Sequence, residues 1–326
     1  MFDDTVHAHL NRCAEPFVRE VDATPSGTLG EDNLQVEASP SDDSVELNGL
    51  DEVGAPVEDE DLPEEETTSV RREYKTHIAA RPEEVEVLFD GPDFLAAHKP
   101  AHLVTHPSKP SHTVSLLGVL RERMPGQWLA CVNRLDRETS GIVLLAKNPE
   151  AAWRLQRLWR WRKVEKTYEA IARGYFLRDK VVVDFPIGAL CGDAATARVR
   201  VRQGYREDGL PAQTTAWVRR RARGMTWFFV KPRTGRLHQI RVHLASLGHP
   251  IVGDKIYGPS EQCYLDFVDR GWTPELERQL WIKRHALHAG GLEFVWKNRP
   301  VRIVSPLPED LRELWSRGAP QAEAHG

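Results

Sequence analysis

The first seventy residues carry twenty acidic side chains, only two basic ones (Arg12 and Arg19) and no tryptophan. From Thr24 to Thr68, Pro, Gly, Ser, Asp and Glu predominate. Like charges repel along such a segment, and its sparse apolar surface cannot offset the entropy of ordering the chain. The division predicts an acidic, largely disordered arm over 1–70 and a cationic folded body over 71–326, which holds all ten tryptophans and 42 of the 44 Lys and Arg residues. Within the arm Val6, Leu10, Cys13 and Phe17 recur at helical spacing, which permits one short amphipathic helix. The acidic run is read as a solvated tail in preference to a mimic of nucleic acid.

With 326 residues, of which 40% are apolar, the chain can bury a sizeable core. No stretch approaches the roughly 18 consecutive apolar residues of a membrane span, and Met1-Phe2-Asp3-Asp4 lacks the order of a secretory signal. A cytoplasmic protein is expected. Cys13, Cys131, Cys191 and Cys263 lie far apart, without a CxxC pair, so reduced thiols are expected in place of a disulfide frame or zinc ribbon.

In the body, Val85–Phe89 and Phe94–Lys99 flank the turn-forming Asp90-Gly91-Pro92-Asp93 and read as a hairpin. Ser111 to Arg123 reads as a helix, Ile142–Lys147 as a buried strand. Asn148-Pro149-Glu150 then starts a second helix with a cap, a first-turn proline and an acid that suits the dipole. On it Ala152, Leu155 and Trp159 share one face, while Arg154, Arg157 and Trp161 project from the other. Further strands fit Lys166–Arg173, Val181–Asp184, Thr196–Arg202, Thr214–Arg219, Thr226–Lys231, Leu292–Trp296 and Val301–Val304. His238–Leu247 reads as a helix ended by Gly248, and a last helix fits Pro308–Trp315. Clustered strands with irregularly placed helices give an α+β class with a mixed, largely antiparallel sheet.

Two segments are suited to chemistry. In Val132-Asn133-Arg134-Leu135-Asp136-Arg137-Glu138-Thr139-Ser140-Gly141, Asp136 immediately precedes a buried strand, and flanking guanidinium groups would keep its carboxylate ionised. An Arg–Asp pair that merely pins a loop is the bland alternative. In Lys231-Pro232-Arg233-Thr234-Gly235-Arg236-Leu237-His238-Gln239-Ile240-Arg241-Val242-His243 a strand turns into a helix. Basic groups there oppose the dipole, so Arg236 and His238 need a negative partner, either a phosphate or Asp136. A salt-bridged surface turn is the corresponding bland reading. His98, His102 and His106 have i, i+4 spacing, but Pro100 and Pro107 argue against a helix that would present them to a metal.

Taken together, Asn133 to Gly141 and Gly235 to His243 resemble the paired signature of the RluA-type RNA pseudouridine synthase family. Lys166-Thr167-Tyr168-Glu169-Ala170, Gly253-Asp254-Lys255-Ile256-Tyr257-Gly258 and Leu287-His288-Ala289 follow in the family's order, so the likeness covers roughly Val85 to Leu311. It implies the pseudouridine synthase fold for the body and a catalytic role for 71–326. It further implies that Asp136 is the essential aspartate, that Arg236 pairs with it and that Tyr168 contacts the target base. Arg134, Arg137, Thr139, Ile240, Arg241 and His243 are the implied substrate contacts, with Arg134 filling the gap left by an extruded nucleotide. Asn133 and Leu237 depart from the usual His and Thr, which bears on substrate preference.

The implied reaction breaks the bond from ribose to N1 of uracil and joins the sugar to C5, with no atoms gained or lost. It calls for no cofactor, and the chain shows neither a Gly-rich phosphate loop nor a metal-ligand frame. Asp136 either attacks the anomeric carbon or takes the 2′ proton, and both routes need it ionised. The base must leave its stack, at a cost of about a few kcal/mol that stacking and gap-filling side chains offset. The partner implied is ribosomal or transfer RNA. Its backbone would meet Arg154, Arg157 and Arg160 on the helix, Arg198, Arg200 and Arg202 on one strand face, and Arg219 to Arg221. Trp153, Trp159 and Trp161 are read as core in preference to base-stacking platforms. The alternatives are a non-catalytic RNA-binding or assembly factor on the same fold and, more remotely, a nucleosidase that releases free base.

Overall fold

A computed structural model of the chain describes residues 81–106, 114–190, 199 and 201–319. The acidic arm, its boundary at residue 70, the helical spacing of Val6 to Phe17 and the arginines Arg198 and Arg200 lie outside the described residues. Twelve strands and six α-helices are described. The strands are β1 Glu86–Asp90, β2 Phe94–Lys99, β3 Ala130–Cys131, β4 Ser140–Ala146, β5 Glu165–Arg173, β6 Lys180–Asp184, β7 Ile187–Ala189, β8 Gln203–Tyr205, β9 Gln213–Ala222, β10 Met225–Pro232, β11 Leu287–Trp296 and β12 Arg299–Val304. The helices are α1 Leu116–Arg123, α2 Pro149–Arg160, α3 Gln239–Ser246, α4 Gln262–Arg270, α5 Pro274–Leu280 and α6 Glu309–Arg317.

The main sheet runs β1-β2-β4-β11-β5-β10-β9-β6, with β12 beside β11 and β3 beside β4. Only the β4–β11 pair is parallel, so the α+β class with a mixed, largely antiparallel sheet holds. That parallel pair lies near the middle of the sheet, and both strands begin there, next to the loop that carries Asp136.

The two-residue period of β2 and β4 explains why β4 is buried along its whole length. Leu95, Ala97, Val143 and Leu145 face one side, where Leu116, Val119 and Leu120 of α1 cover them. Phe94, Ala96, Ile142 and Leu144 face the other, against Ala151, Ala152 and Leu155 of α2. Leu155 is fully buried there, and truncating such a side chain to alanine costs about 2–5 kcal/mol. Helix α2 starts as its sequence dictates: Asn148 Oδ1 accepts the Ala151 amide at 2.8 Å, with Pro149 in the first turn.

Some expectations are corrected. Helix α1 begins at Leu116 with Ser115 as its cap, because the Val104 and Thr105 carbonyls take the Leu116 and Leu117 amides and fix that start. Val199, Val201 and Arg202 are not in a strand, which begins only at Gln203. Helices α4 and α5 were not anticipated, although Thr273 caps α5 ahead of Pro274 in a recognisable signature. Among the described residues no helix is long and apolar enough to cross a membrane.

Candidate active site

Asp136 lies on the segment between β3 and β4, and the residues around it hold this loop from both ends. Upstream, Thr105 Oγ1 lies 3.2 Å from both the amide and the carbonyl oxygen of Leu135. The buried Lys99 amine donates to the carbonyls of Pro100, Leu103 and Arg137 at 2.9, 2.7 and 3.1 Å. Burial, then the nearby Arg284 charge, push that amine down to about 7. Arg137 turns its Nε to the His102 carbonyl at 3.1 Å, and the Thr139 amide returns to the Asp136 carbonyl at 3.0 Å.

Downstream, Glu138 to Gly141 weld the loop to β11 and the chain before it. Glu138 accepts from Lys255 Nζ at 2.6 Å and from the His285 amide at 3.2 Å. Thr139 Oγ1 is 2.7 Å from His285 Nε2. His288 donates from Nε2 to the Ser305 carbonyl at 3.0 Å, which leaves Nδ1 to accept from Ser140 Oγ at 2.9 Å. Gly141 has φ of 120°, and a Cβ there would sit 2.2 Å from the Ala289 carbonyl oxygen. Only glycine lets β4 and β11 approach in parallel at that point.

The second wall comes from the turn after β10. Gln239 organises it: its Oε1 accepts from Thr234 Oγ1 at 2.7 Å and the Arg236 amide at 3.0 Å, while its Nε2 donates to the Gln213 carbonyl and to Thr214 Oγ1. His238 takes a left-handed backbone, φ 57°, immediately before α3. It and Arg241, three residues on, present their side chains to Asp136. Arg241 Nη1 donates to Asp136 Oδ2 at 3.0 Å, and His238 Nε2 stands 3.9 Å from the same oxygen.

Arg241 is anchored from behind. Its Nε and Nη2 donate to both oxygens of Asp254 at 2.7 and 3.0 Å, a bidentate pair deep in the protein. Asp254 Oδ1 also accepts the amides of Ile256 and Tyr257. The Tyr257 ring lies 5.1 Å from the guanidinium carbon of Arg241, and its hydroxyl accepts the Gln203 amide and meets His238 Nδ1 at 2.9 Å.

Burial by itself would raise the pKa of Asp136. The charges of His238 and Arg241 and the Arg241 hydrogen bond outweigh it and hold the carboxyl below its ordinary value. Burial, then Arg241, push His238 down to about 4, so at neutral pH the imidazole is uncharged and Arg241 carries the effect. Tyr168, on β5 between β10 and β11, is pushed up by burial and by the Asp136 charge, and its phenol stays protonated. The site is thus an ionised, partly accessible carboxylate facing a neutral tyrosine. The Asp136 side chain keeps 26% of its exposure, against 6% for Arg241 and none for Asp254.

Most of the residues singled out from sequence converge here, with four corrections. Arg236 does not pair with Asp136: it belongs to the turn ahead of α3, and its Nε donates to the Pro211 carbonyl at 3.1 Å. The paired arginine is Arg241, in the first turn of α3. His243 is no substrate contact, because it is fully buried with its ring 4.6 Å from that of Phe185. Thr139 and Arg137 are spent on the loop itself through His285 and the His102 carbonyl. Ile240 is buried in the cluster on which Tyr168 leans, and Arg134 is exposed at the rim, near enough to His238 for its charge to act there.

The cationic surface also changes. Arg202 pairs with Glu261, Arg219 with Glu169 and Arg221 with Asp179, so these arginines serve internal contacts. Asn133 is spent on β4, donating to the Ile142 carbonyl and accepting the Leu144 amide at 2.8 Å. Asp254 and Tyr257 were missed as site residues, and His238 was read as needing a negative partner without being assigned to the site. For His238 the signal was its place at a helix start, where a negative partner was expected; it stands near Asp136 as a neutral imidazole.

Comparison with known proteins shows the family. The family model described as RNA pseudouridylate synthase matches residues 93–246. The chain is 35% identical over 251 residues to ribosomal large subunit pseudouridine synthase D of Xanthomonas campestris pv. campestris, covering 75% of this chain and 72% of that protein. It is 36% identical over 240 residues to the protein of that name in Xylella fastidiosa, covering 71% and 68%. Among solved structures, human RNA pseudouridylate synthase domain containing 1 superposes with a TM-score of 0.55 at 25% identity, covering 73% of this chain and 96% of that one.

Proposed function

The chain belongs to the RNA pseudouridylate synthase family, whose members isomerise uridine to pseudouridine in RNA, and we propose that it does so with Asp136 as the group that acts on the ribose. The observation that carries this assignment is the 3.0 Å ion pair from Arg241 to a carboxylate that keeps a quarter of its exposure. A carboxylate held ionised and still within reach of a ligand can donate an electron pair to C1′ or accept the 2′ proton. In either route the C1′–N1 bond breaks, the uracil turns, C1′ bonds to C5, and the C5 proton leaves as N1 gains one; the bond from Asp136 to C1′ breaks as C5 attacks in the first route, and the proton taken from C2′ returns there in the second. Arg241 keeps the carboxylate charged and aimed. Asp254 and Tyr257 keep Arg241 and His238 in place.

Tyr168 presents a neutral phenol beside the carboxylate, suited to stacking on the flipped uracil and to donating a hydrogen bond. It is not a phenolate base in the resting enzyme, because burial and the Asp136 charge both oppose its ionisation. Arg134, exposed on the Asp136 loop, is placed to enter the space that the extruded nucleotide leaves.

The substrate we assign is a uridine in large-subunit ribosomal RNA, following the names of the relatives, and the compartment is the cytoplasm where that RNA is assembled. Chemical mapping of pseudouridine in total RNA, with and without the gene, tests both parts. Loss of a site in ribosomal RNA supports the assignment, and loss in transfer RNA alone would redirect it. Purified D136N should bind RNA and yield no pseudouridine. Wild-type turnover by D136N would defeat the role given to Asp136, and released free uracil would point to a nucleosidase.

A further inference from the structure

The sequence of α2 suggests three core tryptophans, and in the structure only one of them, half-buried, packs against the core. Trp159 packs on the sheet with Ala152 and Leu155, whereas Trp153 and Trp161 are 54% and 55% exposed. These two share a stripe with Arg157, spaced four residues apart. The Arg157 guanidinium carbon lies 4.4 Å from the centre of the Trp153 ring and 4.2 Å from that of Trp161. The three side chains form a stacked array of indole, guanidinium and indole along the solvent side of the helix.

Arg157 occupies only one face of each ring, and large indoles left half in water are an unusual use of such residues. The surroundings select the ligand. Residues 149–163 hold five basic side chains and the single acid Glu150, which Arg154 pairs at 2.7 Å. Beside the array a hollow of about 200 Å³ is lined by Arg154, Arg157, Trp161, Val295, Trp296 and Lys297. Flat π surfaces set among cations suit unpaired nucleotides, whose bases stack while their phosphates meet the charges.

The array is joined to the site through the chain. Its last member, Trp161, closes α2, and the chain continues through Arg162 into β5, where Lys166 Nζ donates to the Thr234 carbonyl at 2.9 Å in the turn that carries Arg236. From there β5 runs on to Tyr168.

We propose that Trp153, Arg157 and Trp161 form a stacking platform for an unpaired segment of the RNA substrate, outside the uridine pocket. This rests on the reading that the substrate is RNA, and it adds a second point of contact that favours single-stranded over paired RNA.

The test uses the full chain and two labelled probes, a twelve-nucleotide oligoadenylate and a twelve-base-pair RNA duplex. W153A/W161A should bind the oligoadenylate at least tenfold more weakly than wild type, with duplex binding changed less than threefold. W153F/W161F should restore most of the affinity and W153L/W161L should not, which separates stacking from plain apolar burial. Because both indoles are exposed, far-ultraviolet circular dichroism of every variant should match wild type. Unchanged oligoadenylate affinity in W153A/W161A overturns the proposal, as does equal rescue by leucine and phenylalanine; either result leaves a protein partner as the better account of the exposed indoles. D136N separates this from the catalytic assignment: it should bind the oligoadenylate like wild type and make no pseudouridine. Should wild type itself make none, the catalytic reading fails while the platform is still judged by the affinities alone.

Discussion

Arg241 Nη1 lies 3.0 Å from Asp136 Oδ2, although 105 residues separate the two in sequence. Two walls of the site meet at that contact, and it holds the carboxylate ionised. Removing the guanidinium leaves a carboxylate partly desolvated with no cation, while lysine lacks the fork that serves Asp136 and Asp254 together. R241A and R241K should therefore both lose at least about a hundredfold in kcat/KM, the scale seen when one preorganised charge-stabilising group is removed. R236A should lose less than about tenfold, since Arg236 engages the Pro211 carbonyl and not the carboxylate. Steady-state kinetics on one RNA substrate compares the three, and a larger loss in R236A than in R241A would reverse the assignment.

Asp254 never touches the reacting atoms, yet it takes two of the Arg241 donors and two backbone amides. In D254N the buried guanidinium loses its bidentate partner, and breaking a buried pair by removing one member costs about 3–5 kcal/mol. We expect a fall in Tm together with a fall in kcat that exceeds any rise in KM, because the substrate does not contact this residue. Thermal denaturation and a split of kcat from KM provide the check. A variant with normal kcat and raised KM would place Asp254 in substrate binding instead.

Much of this arrangement is legible along the chain. The hairpin of β1 and β2, the buried β4 and the Asn148-Pro149 start of α2 follow from local chemistry that tertiary structure does not override. At Asp136 the flanking arginines and the buried strand after it left a loop-pinning ion pair open as well, and the resemblance to the pseudouridine synthases singled the residue out. The partner was misread because Arg236 and Arg241 both follow the glycine turn. Choosing between them requires knowing that His238 adopts a left-handed backbone and that Gln239 ties the turn to β9. Asp254 needed knowledge of a contact thirteen residues back, on another element. The exposed tryptophans were misjudged because apolar type was allowed to outweigh their phase, which puts Trp153 and Trp161 with Arg157 and away from Leu155.

His243 should make the fold acid-labile well above the carboxylate range. It is fully buried, and burial pushes its imidazole down to about 3, whereas in the unfolded chain it titrates near 6.5. Between those values the unfolded state holds the extra proton, so stability is complete above about pH 6.5 and falls on acidification by about 1.4 kcal/mol per pH unit for this one group. Burial pushes His288 down in the same sense, to about 4. Replacing His243 with leucine should flatten the dependence of unfolding free energy on pH between 7 and 5, whatever it does at pH 7. Denaturant titrations at several pH values measure that slope, and an unchanged slope in H243L would show that the histidine is not the source.

Catalysis should follow a different group over the same range. Asp136 must be ionised to act on the ribose, and its folded pKa is held below the ordinary carboxylate value by its neighbours, with Arg241 supplying the charge at neutral pH. A carboxyl lowered in the folded state stays charged as pH falls past about 4, so kcat/KM should show no Asp136 protonation step between pH 7 and about 4.5. Any loss of activity in that interval should track unfolding and disappear when rates are corrected for the folded fraction. In R241A the same carboxyl loses its cation and keeps its burial, which moves its pKa upward and brings an acid limb into the measurable range. Corrected pH profiles of wild type and R241A decide the matter: an acid limb at the same pH in both would mean that Arg241 does not control the charge on Asp136.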